Sequence, residues 1–227
     1  MNENRDRVHS EGEDSQEYAE FILELLQAES SYSGLQGIYP ILKQRQHLLN
    51  ARFAETLQQV GQTLISQNPE AIELIVAIIE NLSNHIRDFP LGSRANNIEI
   101  AITGYQIVLN NRQPGSEMFA QTQNNLALAY SQRINGSRAE NLERAIEFFE
   151  AALTVYTLED FREDWAMTQN NLAVAYSKRI NGSRAENLER AIEFYQAALT
   201  VYTFEDFPFN YSPKSCPWPN LMLITIL

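Results

Sequence analysis

Hydrophobic residues between about residue 70 and residue 203 recur at the three- and four-residue spacing of α-helices, in segments separated by short polar links. The pattern predicts first helices over about 70–87, 116–134 and 162–180, and second helices over about 95–111, 139–157 and 185–203. Because a short link joins each first helix to the next second helix, we expect three antiparallel helical hairpins.

The last two hairpins are nearly identical in sequence. Residues 120–161 return as residues 166–207, and only six of the 42 aligned positions differ. The differing pairs are Gln121/Met167, Leu128/Val174, Gln132/Lys178, Phe149/Tyr195, Glu150/Gln196 and Leu158/Phe204. A more divergent copy precedes them, with the same Gly-Ser-Arg-Ala segment at 92–95. A period of 46 residues predicts stacked two-helix units instead of one closed globule.

The links between paired helices carry turn and capping residues. Gly136 and Gly182 each follow an asparagine and suit a turn with positive φ. Ser137 and Ser183 each stand three residues before a glutamate, which is the pattern of a capping box at a helix start. We therefore predict that the second helices start immediately after these serines.

The chain outside the repeats divides into a leader and a tail. Residues 1–16 lack apolar periodicity and are predicted to be disordered. Residues 17–67 predict an N-terminal helical segment, with a helix over 17–29, an irregular connection over 30–40 and another helix filling most of 42–66. The repeats are assigned to 68–207. Residues 208–227 break the period and contain four prolines, so we expect a non-repeat tail and a chain cut short from a longer array.

Charge and composition narrow the classes of partner. The formal net charge is −12, and residues 1–30 contribute −7 of it, so nucleic acid and anionic membrane surfaces are not expected partners. No apolar stretch approaches the roughly 20 residues of a membrane-spanning helix. Cys216 is the only cysteine, which excludes an internal disulfide bond. We expect a cytoplasmic protein.

Small and aromatic residues fix the kind of repeat. The positions concerned are Leu126, Ala127, Tyr130, Ala145, Phe149 and Ala152, with their counterparts Leu172, Ala173, Tyr176, Ala191, Tyr195 and Ala198. This spacing resembles the tetratricopeptide repeat, with a longer link than that family usually has. The N-N-L-A-x-A-Y segment is similar to bacterial, cyanobacterial-type arrays that precede a caspase-like CHAT protease domain, which is missing from this sequence. The resemblance implies an all-α fold, a right-handed superhelical stack of antiparallel helix pairs (a TPR-like α-solenoid) with a helical N-terminal leader.

No group of residues predicts catalysis. His9, His47 and His85 are scattered, and Cys216 has no histidine near it in the sequence. Glycine-rich phosphate loops and metal-ligand spacings are absent. We expect a protein that is not an enzyme and that uses no cofactor or metal.

Paired asparagines are the candidate binding residues. The resemblance places Asn124 and Asn170 on the inner groove of the array, with Asn125 and Asn171 beside them. An amide donates and accepts hydrogen bonds, so it can clamp the backbone of an extended peptide. The alternative is that all four satisfy neighbouring backbone groups or only reflect the duplication.

The charges suggest what such a groove would accept. The first helices at 116–134 and 162–180 carry net charges of 0 and +1, and the second helices at 139–157 and 185–203 carry −3 and −2. A near-neutral, amide-rich groove favours a polar or weakly basic peptide.

These features predict a non-enzymatic protein–protein interaction module, or scaffold, that binds an extended peptide in its concave groove. The alternative function is the sensor arm of a split or truncated CHAT-type protease or signalling protein. Self-association is also expected if the C-terminal end of the array is uncapped, because an open helix face is apolar.

Overall fold

The structure is a computed structural model that describes residues 2–31 and 34–202. Every regular element in that part of the chain is helical. The α-helices are α1 (Asn2–Ser30), α2 (Gly34–Gln44), α3 (Ala51–Gln67), α4 (Ile72–Asp88), α5 (Arg94–Leu109), α6 (Glu117–Gln132), α7 (Arg138–Leu153), α8 (Arg162–Lys178) and α9 (Arg184–Leu199). Short 3-10 turns lie at Gln46–Leu48 and Pro69–Ala71.

The described chain forms two compact units. The first contains the residues up to Gln113 together with Gln132–Asn135, and the second contains the remaining described residues. Within the part that the structure describes, no helix combines the length and hydropathy needed to cross a lipid bilayer.

The first unit is built on a core of large side chains from α1 to α5. Phe21 of α1 meets Phe53 of α3 edge to face, with ring centroids 5.7 Å apart. Ile79 and Leu82 of α4 belong to the same core and are fully buried. Helix α1 therefore packs against α3 and α4 as part of the core, through the apolar residues from Tyr18 onward that the helical pattern predicts.

The predicted disorder of residues 1–16 is not what the structure shows. Helix α1 begins at Asn2, and Tyr18, Phe21 and Ile22 are among its buried side chains. Once the packed half of a helix has formed, extending it costs little, because each added residue adds a backbone hydrogen bond. The composition predicted only that this segment lacks a core face.

The connection predicted over residues 30–40 was also wrong. Helix α2 occupies Gly34–Gln44 and contains Pro40. Ile38 and Leu42 are fully buried in the first unit's core, so their packing outweighs the glycine and proline penalties that favoured a loop. The single helix predicted over most of 42–66 instead begins at Ala51, because the Asn50 side chain accepts hydrogen bonds from two backbone N–H groups of the first turn.

The three predicted helix pairs are confirmed as α4–α5, α6–α7 and α8–α9. Each helix starts within two residues of the predicted start, and α7 and α9 end four residues early, at Leu153 and Leu199. The expected all-α class, built from adjacent helix pairs of a TPR-like repeat, is likewise confirmed. The predicted tail at 208–227 lies outside the described residues.

The links have the predicted turn geometry. Gly92, Gly136 and Gly182 have φ angles of 78°, 77° and 80°. Residues that carry a Cβ rarely adopt such positive φ angles. The Ser137 hydroxyl accepts from the Glu140 backbone N–H at 3.4 Å, which confirms that cap. Ser183 is the N-cap residue of α9, as predicted, but its side chain makes no capping hydrogen bond within the described chain.

An arginine at the start of each second helix holds the hairpin closed. Arg138 and Arg184 donate to the carbonyl oxygens of Ser131 and Ser177, at 2.6 and 2.5 Å, and Arg94 bonds the corresponding carbonyl of Arg87. These carbonyls belong to the last turn of the preceding first helix, where a cation is electrostatically favoured.

The second unit has a core of small side chains and rings. Ala127 and Ala145 are fully buried between α6 and α7, and the rings of Tyr130 and Phe148 stack beside them at 5.8 Å. In the next hairpin Tyr176 and Phe194 take the same places at 5.3 Å. The alanines let the paired helices approach closely, and the rings fill the space at the edge.

Candidate functional site

Helices α6 and α8, the first helices of the second unit, lie beside one another. The Thr168 hydroxyl of α8 approaches the Asn124 amide oxygen of α6 to 3.4 Å, in a buried contact. Since the two helices have nearly the same sequence, they present equivalent side chains in two adjacent rows.

The four candidate asparagines fall into two kinds. Asn124 and Asn170 are only 3% and 4% exposed. Asn125 and Asn171 are half-buried and accessible from one side. The inner pair is therefore packed inside the unit, and the outer pair is the one that a ligand can reach. The peptide-clamping role itself stays a prediction.

The accessible residues of α6 and α8 form one surface, which we call the first-helix strip. Its members are Gln121, Asn125 and Leu128 on α6, and Met167, Asn171, Val174 and Lys178 on α8. Within each helix these residues follow one another at three- or four-residue intervals, so they share one face. The strip is an amide and aliphatic surface with a single cation at one end.

The differences between the two near-identical hairpins concentrate on this strip. Gln121 becomes Met167, Leu128 becomes Val174, and the strip cation Lys178 takes the place of Gln132. These are three of the six differences in 42 aligned positions, although the strip occupies only one face of one helix in each hairpin. Among the described residues Phe149/Tyr195 is the one buried position that differs, and buried residues such as Leu126 and Leu172 are the same in both copies.

Carboxylates gather at the N-terminal ends of the same helices. Burial raises the pKa of Asp164, and the nearby charges of Glu117 and Glu163 raise it further. This end of α6 and α8 therefore has a negative potential, whereas the C-terminal end of α8 carries Lys178.

Arginine–glutamate pairs connect successive hairpins, and the sequence analysis missed them. Arg179, which follows α8, bonds Glu143 of α7 through two nitrogens at 2.8 and 2.7 Å. The hydrogen bond from Arg179 is the largest influence on the pKa of Glu143, which lies below its ordinary value. Arg133 forms the same two-nitrogen pair with Glu99 in the first unit, at 2.8 Å for both bonds. The signal was the recurrence of an arginine at the start of the last two links, at Arg133 and Arg179.

A buried asparagine in each second helix was missed in the same way. Asn97, Asn141 and Asn187 are between 0% and 3% exposed. Asn97 donates to the carbonyl oxygens of Phe89 and Leu91, and Asn187 donates to that of Asn181. These amides close the links, so asparagine recurrence alone does not identify a binding residue.

Comparison with known protein families agrees with this geometry. Residues 119–156 and 165–200 match the family model of the tetratricopeptide repeat. The matched segments make up about a third of the chain and coincide with the α6–α7 and α8–α9 hairpins. No curated protein and no solved structure matched the chain. The two family matches, on hairpins with the corresponding packing, support a tetratricopeptide-repeat protein.

Proposed function

We propose that this protein is a non-enzymatic interaction module that binds an extended peptide along the first-helix strip. Tetratricopeptide repeats generally mediate protein–protein contacts, which sets the class of function. The observation that carries the proposal is the concentration of differences between the two hairpins on the accessible face of α6 and α8. Duplicated binding positions diverge where each must contact a different part of a ligand, while the packing positions stay constrained.

Two amides supply the backbone contacts in this proposal. Asn125 and Asn171 occupy the same place on α6 and α8, and each side chain has both donors and an acceptor. An extended peptide exposes backbone N–H and C=O groups along its length, so it can pair with two amides in succession. Asn124 and Asn170, being buried, would hold the helices at the spacing that this requires.

The ends of the strip give the ligand an orientation. The carboxylates Glu117, Glu163 and Asp164 favour a basic group at the N-terminal end of α6 and α8. Lys178 favours an acidic or polar group at the other end. We infer a polar peptide with a basic residue at one end, bound at roughly micromolar strength, as is common in transient contacts.

The decisive experiment gives the α8 part of the first-helix strip the residues of the α6 part. Peptides are selected from a random library on the full chain, and their affinities are then measured by fluorescence anisotropy. The triple variant Met167→Gln, Val174→Leu, Lys178→Gln gives α8 the residues of α6, which the same fold already accommodates. We expect the selected peptides to bind this variant about tenfold more weakly while its melting temperature stays unchanged.

A second variant tests the amides directly. Asn125→Ala with Asn171→Ala should weaken the same peptides by about tenfold or more, through the loss of two hydrogen-bonding side chains. Gln106→Ala removes an exposed amide from α5 and is the matched control, which should bind as wild type does. Equal binding by all variants would exclude the strip as the site.

The alternative function places the same surface in a larger system. In that case the hairpins are the sensor arm of a separate CHAT-type protease or signalling protein, and the resemblance of the N-N-L-A-x-A-Y segment is its support. A CHAT-type domain encoded next to this chain, and copurifying with it, favours this alternative. A free-standing adaptor predicts neither.

A further inference from the structure

Helices α7 and α9 have almost the same sequence in two different environments. Over 16 residues they differ only at Phe149/Tyr195 and Glu150/Gln196. Helix α7 is covered by α8, and its residues Leu142 and Ile146 are 1% and 4% exposed. The contact between α7 and α8 therefore shows which side chains pack on the α7 surface.

Helix α8 contacts α7 through apolar, ionic and hydrogen-bonding groups. Leu172 and Ala175 share a buried cluster with Ile146 and Phe149 of α7. Arg179 bonds Glu143 through two nitrogens, and the Tyr176 hydroxyl donates to Glu150 at 3.1 Å. A leucine, an alanine, a tyrosine and an arginine within one short stretch thus cover the whole stripe of α7.

No helix in the part of the chain that the structure describes covers the equivalent surface of α9. We call it the α9 outer stripe, and its residues are Leu188, Glu189, Ile192 and Gln196, which are all exposed. Leu188 and Ile192 are 38% and 47% exposed, where the α7 counterparts are buried. Glu189 is exposed and has no ion pair with any residue that the structure describes. Two large aliphatic side chains and a carboxylate therefore stand in the arrangement that α8 covers on α7.

A second observation lies on α8 itself. The Asn124 amide oxygen is approached by the Thr168 hydroxyl of the next first helix, at 3.4 Å. The equivalent oxygen of Asn170 is buried and has no hydrogen-bond partner among the described residues, and the same holds for the Gln169 amide oxygen. Buried acceptors of this kind are usually bonded, so this edge of the second unit lacks a donor.

We propose that the α9 outer stripe binds a helix of a partner polypeptide, and that this helix carries the same kinds of side chain that α8 uses to contact α7. The partner helix carries leucine, alanine, tyrosine and arginine at the spacing of Leu172, Ala175, Tyr176 and Arg179, and a hydroxyl at the place of Thr168. Its aliphatic groups cover Leu188 and Ile192, its arginine bonds Glu189, and its hydroxyl lies beside the Asn170 amide oxygen as Thr168 lies beside Asn124. This contact is separate from the first-helix strip and does not depend on the proposed function.

The chain's own tail lacks these groups. Continuing the 46-residue period places Thr225 where α8 has Arg179, and Lys214 where α8 has Thr168. A second copy of the chain would have to offer α6 or α8, whose Leu126 and Leu172 are 1% and 0% exposed within their own unit. The chemistry of the stripe thus favours a different polypeptide over the self-association that an open end predicts.

The test uses a labelled synthetic peptide with the sequence of residues 162–180 and the full chain, measured by fluorescence anisotropy. We expect saturable binding, weakened about tenfold or more by Ile192→Asp and by Glu189→Arg. The peptide with Arg179→Glu should bind wild type weakly and recover on the Glu189→Arg chain, because the ion pair is restored in reverse. Ile134→Asp alters an isoleucine that is 59% exposed in a link and is the matched control, which should bind normally.

Three outcomes would overturn the proposal. The first is the absence of saturable binding to wild type, or equal binding to the Ile192→Asp chain. The second is binding that appears only after Leu221→Asp, a change in the tail at the place of Ala175, which would make the tail the occupant. The third is a wild-type dimer in sedimentation that Ile192→Asp dissociates, which would make a second copy the occupant.

Discussion

The two units of this chain are stabilised by different kinds of contact. The first unit has one large core of branched and aromatic side chains, and it buries ionic pairs such as Glu80 with Arg112, whose side chains are 6% and 3% exposed. The second unit has small alanine-lined cores, and its arginine–glutamate pair is about one-quarter exposed. The first unit therefore combines contacts that occur once with recurring ones such as Arg133–Glu99, whereas the second depends on contacts that recur with the sequence.

The difference shows how each unit selects its own packing. In the first unit Glu29 contacts His85 and Glu80 contacts Arg112, and a misplaced helix would leave one of these charges buried alone. In the second unit every hairpin offers nearly the same surface, so a neighbouring helix is recognised by its repeat position. Helix α9 consequently carries the counterparts of the α7 residues next to α8, and of these Leu188 and Ile192 are exposed.

The largest effect is expected from breaking the buried pair of the first unit. In the wild-type chain a nitrogen of the Arg112 guanidinium lies 2.7 Å from a Glu80 carboxylate oxygen. Arg112→Met leaves that carboxylate buried without this cation. Removing one partner of a buried pair costs about 3–5 kcal/mol. Chemical denaturation of the full chain should show this loss in the transition that contains the first unit.

A double variant separates the effect of the unpaired charge from the effect of the changed side-chain volume. Glu80→Leu combined with Arg112→Met removes both charges and should recover most of the stability. In the second unit Arg144→Met breaks an exposed pair with Glu147 and should cost less than about 1 kcal/mol. A similar loss from Arg144→Met and Arg112→Met would contradict the contrast between the units.

The next prediction uses one residue type in two copies of the same helix. Leu142→Ala in α7 should lower the free energy of unfolding by about 2–5 kcal/mol, because it creates a cavity under α8. Leu188→Ala in α9 should cost about 1 kcal/mol or less, since that side chain is 38% exposed. Paired denaturation curves measure both, and equal losses would mean that the α9 outer stripe is covered.

The sequence predicted the hairpins well because their determinants are local and repeated. Gly136 and Gly182 set the turns, and the apolar spacing set the helices, without information from elsewhere in the chain. The start of α1 and the whole of α2 were missed, because Ile38 and Leu42 become helical by packing in a core that local propensity does not report.

The candidate site was predictable to the level of the helix but not of the side chain. The asparagine pairs identified α6 and α8. Which asparagine of each pair is accessible depends on the neighbouring helix, and Thr168 lies over Asn124 in the folded unit. The Glu143–Arg179 pair likewise joins residues 36 positions apart, a distance that no helical periodicity spans.

A smaller effect is expected at a close approach in the first unit. Gly104 of α5 faces Ser83 of α4, and a Cβ at Gly104 would overlap the Ser83 hydroxyl and lie 3.1 Å from the Ser83 Cβ. Gly104→Ala should therefore cost about 1–3 kcal/mol through overpacking, despite the better helix propensity of alanine. The second unit has Phe148 in place of Gly104 and Ala127 in place of Ser83. The corresponding helix contact is therefore formed by side chains of different volume in the two units.

Removing the serine hydroxyl tests that explanation. Ser83→Ala added to Gly104→Ala should restore part of the loss in thermal melts, because the overlapping atom is gone. A Gly104→Ala chain as stable as wild type would show that α4 and α5 can separate slightly without cost.

The smallest effect concerns the partly exposed Arg179–Glu143 pair of the second unit. Hydrogen bonding by Arg179 keeps the pKa of Glu143 below its ordinary value of 4.5, so the folded state holds this proton less tightly than the unfolded state does. The stabilisation is therefore present above about pH 4.5 and is lost as the pH falls through the lower, folded-state pKa. Glu143→Gln should cost about 0.2–1 kcal/mol at neutral pH and almost nothing below the folded pKa, where wild type has lost the pair as well. Urea titrations at neutral and acidic pH measure this convergence. The Glu189→Gln variant alters the same position of α9, where no ion pair is present among the described residues, and should leave the free energy of unfolding at neutral pH unchanged.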